Sequence, residues 1–236
     1  SFINVGGLAL GLAAALLTVK PQLGLLLPVL YLASGHWRAF GAAVVMSLGL
    51  WFTSLLTFGV SAWMAFFEFL GVISGSVSDG VMPLYKMVNV YAAARLFALP
   101  DAIAIALAGS TVLISIGAIV WTCRRTEDWR MHYAVIACAT LLAAPYSMYY
   151  ELVLLVPALA FMLQRGAQSG WISWERESVA GLILLSLLVP GPPLQFGLSV
   201  SFLASAGAAF VVFRRMRFEL AHPVARPQSL PHIAAN

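Results

Sequence analysis

The chain has 236 residues, of which 61% are hydrophobic and 9% charged, with a mean hydropathy of +0.93. Soluble domains carry roughly 25% charged residues, so this composition excludes an ordinary soluble domain and points to a polytopic membrane protein. Thirteen Lys and Arg stand against nine Asp and Glu, but the cations sit in short loops between apolar runs, where they report membrane orientation rather than nucleic-acid binding.

Apolar runs fall at 3–19, 21–35, 39–58, 102–123, 132–145, 149–164, 179–190 and 196–213. The first two form one stretch broken only by Lys20-Pro21-Gln22. A single helix over 33 residues would be about 50 Å long, against a hydrocarbon core of about 30 Å. Pro21 and, in the stretch 132–164, Pro145 lie near the centres and break a helix there. Length therefore predicts two short half-spans in each place.

The charges predict the same. With eight passages, Arg38, Arg124, Arg125, Arg130, Arg165, Arg176, Arg214, Arg215, Arg217 and Arg226 share one side. The other side receives Lys20, Lys86 and Arg95. Reading 132–164 as one span would split the arginines between both sides, against the positive-inside bias. The expected fold is thus an all-α polytopic membrane helix bundle of about eight passages, with the arginine-rich loops and the C-terminus cytoplasmic.

Segment 59–101 carries Trp63-Met64-Ala65-Phe66-Phe67 and Tyr91-Ala92-Ala93-Ala94-Arg95-Leu96-Phe97. It is expected to form two extracytoplasmic amphipathic helices on the membrane surface, joined by a Gly/Ser-rich linker at 75–80. Residues 1–217 are expected to be the transmembrane domain. Residues 218–236, with Pro223, Pro227 and Pro231, are expected to be a disordered cytoplasmic tail. The chain opens on Ser1 with no signal peptide before the first apolar run, which suggests the C-terminal portion of a longer protein.

Sorted by side, the polar groups of the extracytoplasmic turns are Lys20, Gln22, Lys86, Asn89, Tyr146, Tyr149, Tyr150 and Glu151. His36, His132, His222 and His232 lie on the other side or in the tail, so no Ser-His-Asp or metal constellation assembles. No Gly-rich phosphate loop is present either, and neither metal nor cofactor is expected. Cations and amides on an outer membrane face suit a lipid-linked phosphate. Lys20, Gln22, Lys86 and Asn89 are the candidates to bind it. Lys20 and Lys86 equally fit headgroup contacts by snorkelling, and Arg95 fits them better than a site. Tyr146, Tyr150 and Glu151 are candidates to line a cavity. The tyrosines fit an aromatic interface belt better than ligand contact, and Glu151 equally fits a structural ion pair with Lys20. Asp79 and Asp101 fit loop and helix-start positions.

The stretch Leu16-Leu17-Thr18-Val19-Lys20-Pro21-Gln22-Leu23-Gly24-Leu25-Leu26-Leu27-Pro28, followed by His36-Trp37-Arg38-Ala39, resembles glycosyltransferase family 87. Phe58-Gly59 with Ala62-Trp63, Lys86-Met87 before Tyr91, and Ala144-Pro145-Tyr146 with Tyr150-Glu151-Leu152-Val153-Leu154-Leu155 continue the resemblance in order. It spans about residues 5 to 165, with Glu151 where Asp is the commoner expectation. The resemblance implies a bacterial integral membrane enzyme of the C-type glycosyltransferase fold in the inner (plasma) membrane. Such an enzyme moves a hexose, typically mannose, from a polyprenyl-phosphate donor to a lipid or glycan acceptor on the extracytoplasmic side. Its catalytic Asp lies in the first extracytoplasmic loop, so the general base is expected upstream of residue 1. The rival reading is a transporter or lipid flippase, which would favour repeat-related halves and polar groups at the bilayer midplane.

Overall fold

The computed structural model describes residues 9, 11, 13–79, 81–187 and 199–222. These are mostly helical, with no strand among the described residues and one isolated antiparallel bridge between Met87 and Met148. Three helical stretches are long and apolar enough to cross a membrane: Trp37–Ile73, Asp101–Arg125 and Tyr149–Ser169. The all-α membrane-type fold predicted from composition is what the structure has.

The N-terminal stretch breaks where the sequence predicts. A 3₁₀ turn at Leu17–Val19 ends at Lys20, α1 spans Pro21–Gly24, and α2 spans Leu27–Ala33. Pro21 and Pro28 sit in the first turns of α1 and α2, where their missing N–H costs nothing because no intrahelical partner exists for it. The second predicted break is also present. Helix α6 (Trp129–Ala143) stops before Pro145, a 3₁₀ turn covers Tyr149–Leu154, and α7 runs over Leu155–Ser169.

Helix α3 (Trp37–Ser78) corrects the expectation for segment 59–101. A helical arm does begin after Gly59, whose own backbone is not helical, but it continues to Ser78, so no linker lies at 75–78. Straight, its 42 residues would reach about 63 Å, but Gly59 adopts φ 78° and ψ 171° and bends it. The second arm is not amphipathic: Val60, Met64, Phe66, Phe67, Phe69, Leu70 and Val72 are all exposed, and they point around the whole helix. The predicted helix around Tyr91 does form, as α4 (Val90–Leu96).

Helix α5 (Asp101–Arg125) precedes α6, and α8 (Glu175–Leu187) and α9 (Val200–Ala221) follow α7. The short α6 is the centre of the bundle, packed by α5, α7 and α9. It buries residues on every side, among them Met131, Val135, Cys138 and Leu141. Its 15 residues cover only about 22 Å, so it is shielded by its neighbours rather than facing lipid. By contrast α3 meets the bundle chiefly through α2. Helix α9 continues four residues past the expected domain boundary at 217. Residues 223–236 of the expected tail, and the expected turn at Pro190–Pro193, lie outside the described residues.

Contacts between charged loops define one end of the bundle. Arg165 pairs with Asp128 and lies 3.5 Å from Glu219. Arg215 has a fully buried side chain and donates to Glu175 and Glu219 (2.9 Å each), the Gly170 carbonyl (3.0 Å) and Ser169. Counting Arg215 as a loop charge therefore misplaces it. Five guanidinium donors let one residue join α7, the 170–175 loop and α8 to its own helix.

Candidate functional site

At the opposite end, four segments meet through backbone groups. Asn89 caps α4, its Oδ1 accepting from Ala92 N at 2.9 Å. Its Nδ2 donates to the Ala144 and Pro145 carbonyls at 2.9 and 3.2 Å. Val88 N donates to Ser147 O at 3.0 Å. On the other side, the Ser199 hydroxyl reaches Tyr85 O (2.7 Å) and Met87 O (3.1 Å), and Ser205 Oγ donates to Val88 O at 2.8 Å. The stretch 85–89, the end of a 3₁₀ turn and the extended residues after it, is thus clamped between the start of α9 and the 144–148 turn.

That turn carries the site. Glu151 lies in the 3₁₀ turn with only 4% of its side chain exposed. Its Oε2 accepts from Ser147 Oγ at 2.6 Å and from Met148 N at 3.1 Å. Its Oε1 accepts from Lys20 Nζ at 3.0 Å. The same ammonium lies 4.4 Å from the centre of the Tyr150 ring, within cation–π range. Lys20 keeps 42% of its side chain exposed. The pair is therefore asymmetric, with a saturated, buried carboxylate and an ammonium that still faces outward. A carboxylate with both oxygens engaged positions a cation and is poorly placed to take a proton from a substrate.

The remaining predicted residues divide. Asn89 is 1% exposed, and its amide is used by three backbone groups, so its role in this conformation is to hold loops together. Lys86 is half-buried at the end of a 3₁₀ turn, 5.7 Å from the Tyr85 ring centre, with no carboxylate within salt-bridge distance among the described residues. Gln22 is half-buried in α1, close along the chain to Lys20. Tyr146 packs against Met87 and Ala92, and Tyr150 is exposed beside Tyr149. Arg95 lies 3.9 Å from Asp101 and donates to Leu99 O at 3.1 Å. Tyr91 donates to Asp101 at 2.5 Å. Burial, with the hydrogen bond the phenol donates to the Asp101 carboxylate, pushes the Tyr91 phenol up to about 12. These three residues lock α4 onto α5.

Sequence reasoning missed Ser147, which is fully buried and orients Glu151. A serine four residues before a carboxylate in a Pro-containing turn is a faint signal, and nothing else in the sequence marks it. Among the described residues no group of three or more His, Cys, Asp or Glu converges to hold a metal.

An all-helical membrane-type protein with a lysine held outward at one polar end is the class this fold and site define. The model of glycosyltransferase family 87 matches residues 4–145, more than half of the chain, and the chain belongs to that family. Membership makes it a glycosyltransferase and decides against the transporter reading. The match contains Lys20, Gln22, Lys86 and Asn89 and stops before Tyr146, Tyr150 and Glu151, short of the 165 expected. No curated protein and no solved structure matches the chain.

Proposed function

We propose that the protein is a hexosyltransferase that moves a sugar, mannose by family resemblance, from a polyprenyl-phosphate donor to a lipid or glycan acceptor. The transfer takes place on the extracytoplasmic face of the bacterial inner membrane. The observation that carries this reading, beyond the family, is the half-exposed Lys20 ammonium held by a buried, saturated Glu151. In the transfer, an acceptor hydroxyl oxygen bonds to the anomeric carbon while the bond from that carbon to the donor phosphate oxygen breaks. The acceptor proton passes to a base, and the departing lipid phosphate gains negative charge.

A fixed cation at that phosphate stabilises the charge as it develops, without reorganisation at the moment of reaction. Lys20 is suited to this. Glu151 and the Tyr150 ring fix the ammonium from one side, and its remaining donors face outward as a compact charge. Lys86 is the second candidate cation, with Gln22 as a neutral donor beside Lys20. Asn89 has no group left to offer a phosphate and supports the site through the 144–148 turn.

Membranes bearing the protein, supplied with polyprenyl-phosphate mannose labelled in the sugar, test the donor. Label is expected to pass to an extractable lipid or glycan, and not to pass when nucleotide-linked mannose replaces the lipid donor and polyprenyl-phosphate mannose synthesis is absent. Transfer from the nucleotide donor under those conditions overturns the proposal.

A further inference from the structure

We infer that the elbow of α3 is a binding site for one hydrocarbon chain of a lipid whose phosphate sits at Lys20. The inference rests on the reading of Lys20 given above and adds the place where the apolar part of the ligand lies.

The elbow is a built feature. Gly59 holds φ 78° with ψ 171° in the middle of α3, a conformation essentially reserved for glycine. Trp51 and Trp63 are twelve positions apart and would be separated by about 18 Å along a straight helix. Their ring centres are 6.2 Å apart, edge to face. The second arm therefore turns back towards the first, and a hollow of about 400 Å³ lies between them. Trp51 and Ser54 line it from the first arm, Ala62, Trp63 and Phe66 from the second, and Val19 from the N-terminal turn. A second hollow of about 330 Å³ shares Trp51 and is walled by Leu17 and Pro21. Residues on both sides of Lys20 thus form the walls of the two hollows.

The chemistry selects the occupant. A phosphate or sugar buried among these rings would lose its hydration without hydrogen bonds in return, so the hollow takes hydrocarbon. The volume is in the range of small-molecule sites. Helix α3 is long and apolar enough to cross a membrane, and its elbow is continuous with the lipid-facing surface. Lys20, next along the chain to Val19 and Pro21 of the two walls, keeps 42% of its side chain exposed and can take a second anion besides Glu151. One molecule satisfies both demands, a lipid phosphate. The shared chemistry fits a prenyl phosphate and a phosphatidic acid alike, and competition separates them.

Equilibrium binding of farnesyl phosphate, farnesol and inorganic phosphate to the purified full chain in nonionic detergent tests the inference. Ala62→Trp fills the hollow, and Ser54→Phe fills it from the other arm if the first variant unfolds. Farnesyl phosphate is expected to bind at least tenfold more weakly to the filled variant and to Lys20→Met. Binding of inorganic phosphate should be the same in the filled variant and the parent, and farnesol binding should fall only in the filled variant. Undiminished farnesyl phosphate binding to a folded, filled variant overturns the elbow site. If Lys20→Met still loses binding in that case, the reading of Lys20 stands. Loss in the filled variant alone keeps the chain site and overturns its anchoring at Lys20. Displacement of farnesyl phosphate by dioleoyl phosphatidic acid assigns the site to bilayer lipids, and resistance to displacement assigns it to prenyl phosphates.

Discussion

Lys20 and Glu151 are separated by 131 positions in the chain and joined by one 3.0 Å contact. The contact links the break in the first apolar stretch to the turn after α6. Two helix interruptions that would each expose unpaired backbone are thereby fastened to one another. Because the carboxylate is buried and the ammonium half-exposed, the two partners differ in what their removal does.

Lys20→Met strands a buried carboxylate, and losing one partner of such a pair costs about 3–5 kcal/mol. The Ser147 and Met148 contacts that remain place the cost towards the lower end. Glu151→Gln leaves an ammonium that water can reach and should cost less, about 1–2 kcal/mol, the range of a lost hydrogen bond to a charged group. Thermal unfolding in detergent checks the order, and an equal or reversed order contradicts the asymmetry.

Asn89→Ala removes a helix cap, worth about 1 kcal/mol, and leaves the Ala144 and Pro145 carbonyls without their side-chain donor. A loss of about 2–4 kcal/mol is expected in all. Asn89→Asp keeps the cap acceptor but turns a repulsive oxygen towards both carbonyls, and it should not recover the loss. Hydrogen exchange in 84–96 and 144–151 should rise together in both variants. A rise confined to one segment contradicts the clamp.

Arg215→Met should destabilise the opposite end by about 3–5 kcal/mol, because Glu175 and Glu219 lose their common partner. Arg215→Lys should restore little, since a single ammonium cannot span a fork that reaches α7, α8 and the 170–175 loop. Removal of the exposed Arg124 or Arg125 should shift stability by less than about 0.5 kcal/mol. Unfolding measurements on the four variants decide whether the buried arginine differs from its exposed neighbours.

Gly59→Ala places a side chain where φ is positive, at a cost of about 1–3 kcal/mol. Relief of that strain straightens α3 and separates Trp51 from Trp63. The near-ultraviolet circular dichroism of the indole pair should weaken. An unchanged spectrum would mean that the elbow does not depend on glycine.

The breaks at Lys20 and Pro145 were legible because proline and charge are both costly inside a long apolar helix and cheap at its interruption. The meeting of Lys20 with Glu151 was legible too, since two opposite charges at breaks on one face have few alternative partners. The course of α3 was not. Gly59 followed by serine and aromatic residues reads as a helix end, which it is, but only the backbone angles show that a second arm starts at once and folds back towards the first. Asn89 looked available because its acceptors lie 55 and 56 positions away, beyond any local pattern. Arg215 looked like one of a cluster of loop charges because its partners come from three other segments.

The central claim is that Lys20 acts on the donor phosphate and does more than neutralise Glu151. The double variant Lys20→Met with Glu151→Gln removes both charges and leaves no stranded carboxylate, so it should unfold close to the parent temperature. Its rate of sugar transfer from polyprenyl-phosphate mannose, measured in membranes at equal protein, is the most direct test. Loss of a preorganised contact of about 2–4 kcal/mol predicts a rate reduced by roughly thirty- to a thousand-fold. A stable double variant that transfers at the parent rate would contradict the claim and leave Lys20 as the structural partner of Glu151.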